Sequence, residues 1–139
     1  GTDAAYRLEI APDGALDISQ ATRLRTQRIT PKGVKVIASY SHRDSETEDI
    51  IEQLHVTKTI ATASSYKFCL LAEGSADFYP RYGRTMEWDT AAGQAILEAA
   101  GGVVTFSDGE RFTYAKLERG LDNPSFIAAA SDNWQDALK

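Results

Sequence analysis

Residues 87–106 read EWDTAAGQAILEAAGGVVTF, and this stretch holds the clearest secondary-structure signal in the chain. Between residues 90 and 100, polar and apolar side chains fall on two different stripes, a pattern that predicts an amphipathic helix. The polar stripe consists of Thr90, Gln94 and Glu98, and the apolar one of Ala92, Ala95, Ile96 and Ala99. Gly101 and Gly102 end the helix, because glycine accepts the left-handed conformation common at helix C-termini. Residues 103–106 then predict a strand.

Strand and helix signals alternate along the rest of the chain. Residues 5–10, 34–39 and 56–60 are strand-like, and Ser45 with Glu48 three residues later predicts a helix start between the last two. The alternation of strands with helices predicts an α/β fold in which a mixed β-sheet is flanked by helices. A length of 139 residues fits one domain.

Three further segments complete this pattern. Ser64 and Ser65 precede apolar residues at helical spacing, which predicts a second helix. Residues 76–79 predict a short strand, and Pro80 either stops it or places it at an edge of the sheet. Residues 126–130 predict a last, buried strand.

The net charge limits the classes of ligand that the chain is expected to bind, and the cysteine content limits its covalent cross-links. The net charge is −5, and neutralising the phosphates of a nucleic-acid polymer needs a basic surface, so no such partner is expected. A small phosphorylated ligand needs only a few local cations. The single cysteine, Cys69, excludes an internal disulfide, and its apolar neighbours predict a buried, unreactive thiol.

No segment is long and apolar enough to span a bilayer. We therefore expect no transmembrane segment and a cytoplasmic location, with peripheral attachment to a membrane left open.

Several polar residues are candidates for a site, and each has a structural alternative. Asp89, at the predicted helix start, is either a helix cap or a ligand for Mg²⁺, which prefers hard oxygen donors. Ser64 and Ser65 either cap a helix or offer phosphate donors together with Lys67. His42, near a strand end, is either a surface or packing residue or a catalytic one. Arg81 and Arg84, in a loop, are either solvated or clamp a phosphate. Taken singly, each position favours the structural alternative.

The order and spacing of these residues are more specific than any one of them. The segments SSYKFCLLAEG (64–74), DFYPRYG (77–83), WDTAAG (88–93) and EAAGG (98–102) resemble the second half of the inositol-monophosphatase superfamily. Ser41 with His42, residues 79–81 and residues 123–126 are most similar to its branch of bacterial 3′(2′),5′-bisphosphate nucleotidases of the CysQ type.

The resemblance implies a fold and an activity. Residues 1–139 would be the C-terminal half of the layered sugar-phosphatase fold, in an enzyme that removes the 3′-phosphate of adenosine 3′,5′-bisphosphate with Mg²⁺. Asp89 matches a residue that is catalytic and binds metal in the family. The positions matched to substrate binding are Ser64, Ser65, Lys67, His42 and Arg81. The family usually has glycine where this chain has Ala63.

The family's first motifs, a Gly-Glu-Glu segment and Asp-Pro-x-Asp-Gly-Thr, are missing from this sequence. We therefore expect the isolated chain to be inactive and its partners to be a small phosphorylated nucleotide and the missing N-terminal domain of the same enzyme. A homodimer is left open. The alternatives are an inositol monophosphatase and, from a different class, a non-catalytic nucleotide-binding or assembly module.

Overall fold

The structure is a computed structural model that describes residues 4–30, 32–38 and 45–138. Its helices are α1 (Ser45–Gln53), α2 (Tyr66–Ala72) and α3 (Glu87–Ala100). Its strands are β1 (Ala5–Arg7), β2 (Thr22–Leu24), β3 (Val34–Ile37), β4 (Val56–Ile60), β5 (Phe78–Arg81), β6 (Thr85–Met86), β7 (Val103–Phe106), β8 (Asp122–Asn123) and β9 (Phe126–Ala129). None of the described helices is long and apolar enough to cross a membrane.

Five strands form the central sheet, in the order β4-β3-β5-β9-β7. β3 is parallel to both β4 and β5, whereas β9 is antiparallel to β5 and β7. β1 with β2 and β6 with β8 form separate antiparallel pairs. The prediction of a mixed sheet flanked by helices is confirmed.

β9 is the strand around which the two cores are built. All four of its residues are buried, as predicted, and successive side chains point to opposite faces of the sheet. Phe126 and Ala128 face the core that α2 and α3 cover, together with Phe68 and Leu97. The intervening Ile127 and Ala129 belong to the core under α1 and Trp134. The domain therefore has helices on both faces of one sheet.

α3 buries two of the three residues on its predicted polar stripe and exposes the third, Glu98. Thr90 and Gln94 are only 1% and 5% exposed, whereas Ala92, Ala95 and Ile96 lie on the surface. Hydrogen bonding explains this burial, because Tyr114 Oη donates to Gln94 Oε1 at 2.7 Å and lies 3.4 Å from Thr90 Oγ1. The polar side chains are satisfied inside the domain, and an apolar helix face is left outside it.

Pro80 shows that one sequence expectation was wrong. It neither ends its strand nor lies at an edge, because β5 runs through it and is flanked by β3 and β9. A proline cannot donate to a strand ladder. In the described part of the chain, Val36 and Phe78 are the single pair that joins β3 to β5. Pro80 lies two residues further along β5, beyond this pair, so no ladder hydrogen bond to β3 requires an N–H group at Pro80.

α2 and α3 approach each other closely at Gly93. A Cβ atom at this position would lie 2.4 Å from Cδ2 and 3.0 Å from Cβ of Phe68. Turning the Phe68 ring would not relieve the second contact, because Cβ is fixed to the α2 backbone. Glycine at residue 93 therefore sets the distance between the two helices.

We expect Gly93→Ala to lower the free energy of unfolding by about 1–3 kcal/mol, as overpacking does. This loss would occur although alanine is a better helix former by about 1 kcal/mol. The measurement is urea unfolding of the purified protein. A Phe68→Ala background should remove most of the loss, since the two sites are in contact. The exposed Ala92→Gly change controls for helix propensity. A Gly93→Ala variant more stable than the wild type would contradict the tight contact.

Candidate active site

A cavity of about 330 Å³ lies at the carboxyl ends of β4 and β5. Parallel strands bring the loops that follow them to one edge of a sheet, which is where α/β proteins commonly bind ligands. Five of the six predicted site residues line this cavity, namely Ser64, Ser65, Lys67, Arg81 and Asp89. The sixth, His42, lies outside the described residues. The structure thus brings together side chains that are up to 25 residues apart in sequence.

Asp89 is in the first turn of α3 and already makes one capping bond. The helix begins at Glu87, so the predicted start at residue 90 is corrected by three residues. Asp89 Oδ2 accepts a hydrogen bond from the backbone N–H of Met86 at 2.8 Å, which satisfies one free amide of the helix end. No hydrogen bond to Oδ1 is seen among the described residues. Capping therefore uses one oxygen and leaves the other available to a ligand.

A long-range ion pair fixes the start of α3. The Glu87 carboxylate accepts hydrogen bonds from the backbone N–H groups of Ala115 at 3.0 Å and Lys116 at 2.9 Å, and it pairs with Lys116 Nζ at 2.9 Å. The Lys116 hydrogen bonds are the main reason why the pKa of Glu87 lies below its ordinary value. This pair holds the helix turn that carries Asp89. The ion pair was not predicted from the sequence, because no local pattern links positions 87 and 116.

Asn123 anchors the same turn from another strand. It is buried, and its Nδ2 donates to Thr85 Oγ1 at 3.1 Å and to Thr90 Oγ1 at 3.3 Å. Thr90 also lines the cavity. The segment between β7 and β9 therefore helps to hold the cavity wall next to Asp89.

Lys67 is a buried cation that lines the cavity. Its side chain is on α2 and only 7% of the residue is exposed. Nζ lies 3.5 Å from Tyr79 Oη and 4.8 Å from the centroid of the Tyr79 ring. Burial, and then the charge of Arg81, lower the pKa of Lys67. No carboxylate in the described ranges pairs with it. A buried charge without a counterion is costly, and such groups are common at functional sites.

Arg81 is held by the loop that follows β5. Its Nη2 donates to the carbonyl of Arg84 at 3.2 Å, and a Cβ at Gly83 would lie 3.3 Å from its Cζ. Its buried Nε has no hydrogen-bond partner within residues 4–30, 32–38 and 45–138. Arg84 differs, because its Nε pairs with Asp122 at 2.8 Å and its side chain is largely exposed. Of the two loop arginines, Arg81 keeps an unused donor.

Ser64 and Ser65 form the exposed rim that leads into α2. Ser65 is the residue before the helix, but its side chain makes no capping hydrogen bond. Ser64 has a φ of 61°, in the left-handed region that non-glycine residues seldom adopt. Plain capping, the structural alternative, is therefore not what the Ser65 hydroxyl does here.

The lining of the cavity combines cationic side chains with a single carboxylate among the described residues. Lys67 and Arg81 supply positive charge, and Asp89 is the acidic residue among those that line the cavity. No group of three or more His, Cys, Asp or Glu side chains that could hold a metal occurs in the described part of the chain. Because Mg²⁺ takes about six oxygen ligands and keeps several water molecules, Asp89 could be one ligand of several.

Curated relatives match parts of this chain. The 3′(2′),5′-bisphosphate nucleotidase CysQ of Escherichia coli K12 is 46% identical over 91 residues, which cover 66% of this chain and 37% of the relative. An uncharacterized protein encoded in the pss 5′ region of Rhizobium leguminosarum bv. phaseoli is 54% identical over 77 residues, or 52% of this chain and 81% of that protein.

Two solved structures are also similar to this chain. The crystal structure of CysQ from Bacteroides thetaiotaomicron has a TM-score of 0.68 at 42% identity, over 81% of this chain and 42% of that one. The Thermotoga maritima IMPase has a TM-score of 0.65 at 19% identity, over 95% and 49% of the two chains, and shows the fold alone. The chain spans less than half the length of these solved relatives. The model of the inositol monophosphatase family matches residues 13–137, so the chain belongs to that family.

Proposed function

We propose that this chain is the phosphate-binding half of a Mg²⁺-dependent phosphatase that removes the 3′-phosphate of adenosine 3′,5′-bisphosphate. One observation carries the proposal. A single cavity contains a carboxylate with a free oxygen, Asp89, beside two cationic side chains, the buried Lys67 and the half-buried Arg81, that lack carboxylate partners among the described residues. Such a pocket suits a ligand that brings its own negative charges.

Asp89 is the residue that would contact the metal. Mg²⁺, when bound, polarises the phosphate ester and activates a water molecule. Oδ1 of Asp89 would be one ligand, while Oδ2 keeps its bond to Met86 and so fixes the side chain. The hydroxyls of Ser64 and Ser65 would donate to phosphate oxygens at the cavity rim.

Lys67 and Arg81 would hold the phosphate that is not cleaved. The contacts that position these two side chains leave hydrogen-bond donors unused. A guanidinium group also matches phosphate oxygens in a bidentate way. His42 stays a candidate for the same phosphate.

An inositol monophosphatase is the rival within the family. The positive charge of Lys67 and Arg81 favours the nucleotide, because a second phosphate needs cations whereas the hydroxyl groups of an inositol ring do not. Among the comparisons, identities of 46% and 42% belong to proteins named CysQ, while the IMPase of Thermotoga maritima is 19% identical. The non-catalytic module is the alternative from another class.

The exposed face of α2 and α3 is the proposed contact with the missing N-terminal domain. Tyr66, Trp88 and Ile96 are 55%, 65% and 37% exposed. Ala92 and Ala95 add small apolar side chains to the same surface. Contiguous apolar patches on a protein surface mark interaction sites. Pairing of two copies of this chain through that face is the alternative occupant.

We expect the isolated chain to release no phosphate from adenosine 3′,5′-bisphosphate with Mg²⁺, because it supplies one acid where a metal-activated water needs several. The assay is colorimetric phosphate release, with a full-length enzyme that contains this chain as the positive control. Turnover of about 1 per second or more by the isolated chain would contradict the proposed division of the site.

In the full-length enzyme, Asp89→Asn should lower the rate at limiting Mg²⁺ by about a hundredfold or more, since the metal loses a ligand. Its unfolding free energy should stay near the wild-type value, because an amide oxygen still accepts from Met86. Asp89→Ala should lower stability as well, by about 1 kcal/mol. Glu46→Gln, in the first turn of α1, is the matched control. Wild-type kinetics for Asp89→Asn would leave Asp89 as a cap alone.

Lys67→Ala and Arg81→Ala should each reduce kcat/KM for adenosine 3′,5′-bisphosphate by about tenfold to a hundredfold, because each variant loses a hydrogen bond to a charged group in the transition state. Activity on inositol 1-phosphate should change little. The exposed Lys58→Ala and Arg119→Ala changes are the controls. Equal loss on both substrates would assign the residues to the scissile phosphate or to the fold, and no loss on either would favour the inositol substrate.

A further inference from the structure

Tyr79 is a cavity residue that the sequence motifs assigned no role. It lies in β5, between Phe78 and Pro80, and is only 6% exposed. Its ring is held edge-on by Phe68 and by Phe126, with centroid distances of 5.8 Å in both cases. These two contacts fix the direction of the side chain, so the hydroxyl has a defined position at the cavity wall.

The hydroxyl of Tyr79 has a donor that is not used. Its described partner is Lys67 Nζ at 3.5 Å, and an ammonium group can only donate, so the Tyr79 oxygen is the acceptor. The hydroxyl hydrogen therefore has no acceptor among the described residues. Buried hydroxyl groups in folded proteins nearly always find a partner, and a ligand in the cavity that Tyr79 lines can supply one.

The protonation state of Tyr79 suits this role. Burial raises its pKa to about 12, with opposing smaller effects from Arg81 and Asp89. The hydroxyl therefore keeps its hydrogen throughout the neutral range. It can donate to an anion without adding a negative charge to the pocket.

The surroundings define what kind of acceptor fits. Lys67 is buried without an acidic partner, and Nε of Arg81 is buried without any partner in the described part of the chain. Three neighbouring groups thus have donors to spare. A tetrahedral oxyanion offers several acceptor oxygens within one small group and matches this need.

We propose that the Tyr79 hydroxyl is a further substrate-binding group, which donates a hydrogen bond to the same phosphate that Lys67 contacts. This inference rests on the proposed function for the identity of the substrate, but not for the presence of a phosphate site. Tyr79 thereby becomes a specificity-determining residue for the phosphate that is not cleaved.

The test is Tyr79→Phe in the full-length enzyme, which removes the hydroxyl and keeps the ring contacts with Phe68 and Phe126. The probe is inorganic phosphate without Mg²⁺, titrated by calorimetry. We expect Kd to rise about tenfold to a hundredfold, with an unchanged unfolding midpoint. The exposed Tyr6→Phe change, outside the cavity lining, should leave Kd unaltered. A wild-type Kd for Tyr79→Phe would overturn the inference.

A double-mutant cycle with Lys67→Met tests whether both groups hold one phosphate. Non-additive losses are expected for a shared ligand, and additive losses would overturn that sharing. The substrate is tested separately, by KM for adenosine 3′,5′-bisphosphate. If Tyr79→Phe weakens phosphate binding while the wild-type enzyme fails to hydrolyse the nucleotide, the Tyr79 site stands and the proposed substrate is wrong.

Discussion

The contact of α2 with α3 at Gly93 is the constraint on which the rest of the site depends. α2 carries Lys67 in its first turn and follows Ser64 and Ser65, while α3 carries Asp89 in its own first turn. Because residue 93 has no side chain, Phe68 can pack directly against the α3 backbone. The starts of the two helices then open on one cavity above β5. A larger residue at that crossing would separate the acid from the cation.

Much of the architecture follows from local sequence patterns. The helix that ends at Gly101, the strands β4 and β7 and the buried β9 were all predicted, and so was the mixed sheet that they build. Two features could not be predicted locally. The burial of Thr90 and Gln94 depends on Tyr114, which lies 20 or more residues away in sequence. The place of Pro80 inside the sheet depends on how few residues β3 pairs with β5.

The candidate site also contains residues that the sequence predicted and residues whose roles are seen only in the fold. Motif order placed Ser64, Ser65, Lys67, Arg81 and Asp89 in one family pattern, and the structure brings them to one cavity. The groups that support them were not visible in the sequence. The role of Glu87 follows from its ion pair with Lys116. The role of Tyr79 follows from its ring contacts with two aromatic neighbours, Phe68 and Phe126. Residue type and spacing identify groups that contact a ligand, whereas supporting contacts are made between distant segments and become known only from the fold.

Cationic side chains inside the cavity of an acidic protein would also select ligands by size. A net charge of −5 repels anions at long range, but at physiological salt that repulsion fades within roughly 8 Å. Lys67 and Arg81 act at shorter range and from inside the cavity. A small oxyanion can reach them with little exposure to the acidic surface, whereas a polyanion would have to lie along that surface for much of its length. For the proposed substrate class, the same charge distribution would favour a small phosphorylated molecule over a nucleic-acid strand.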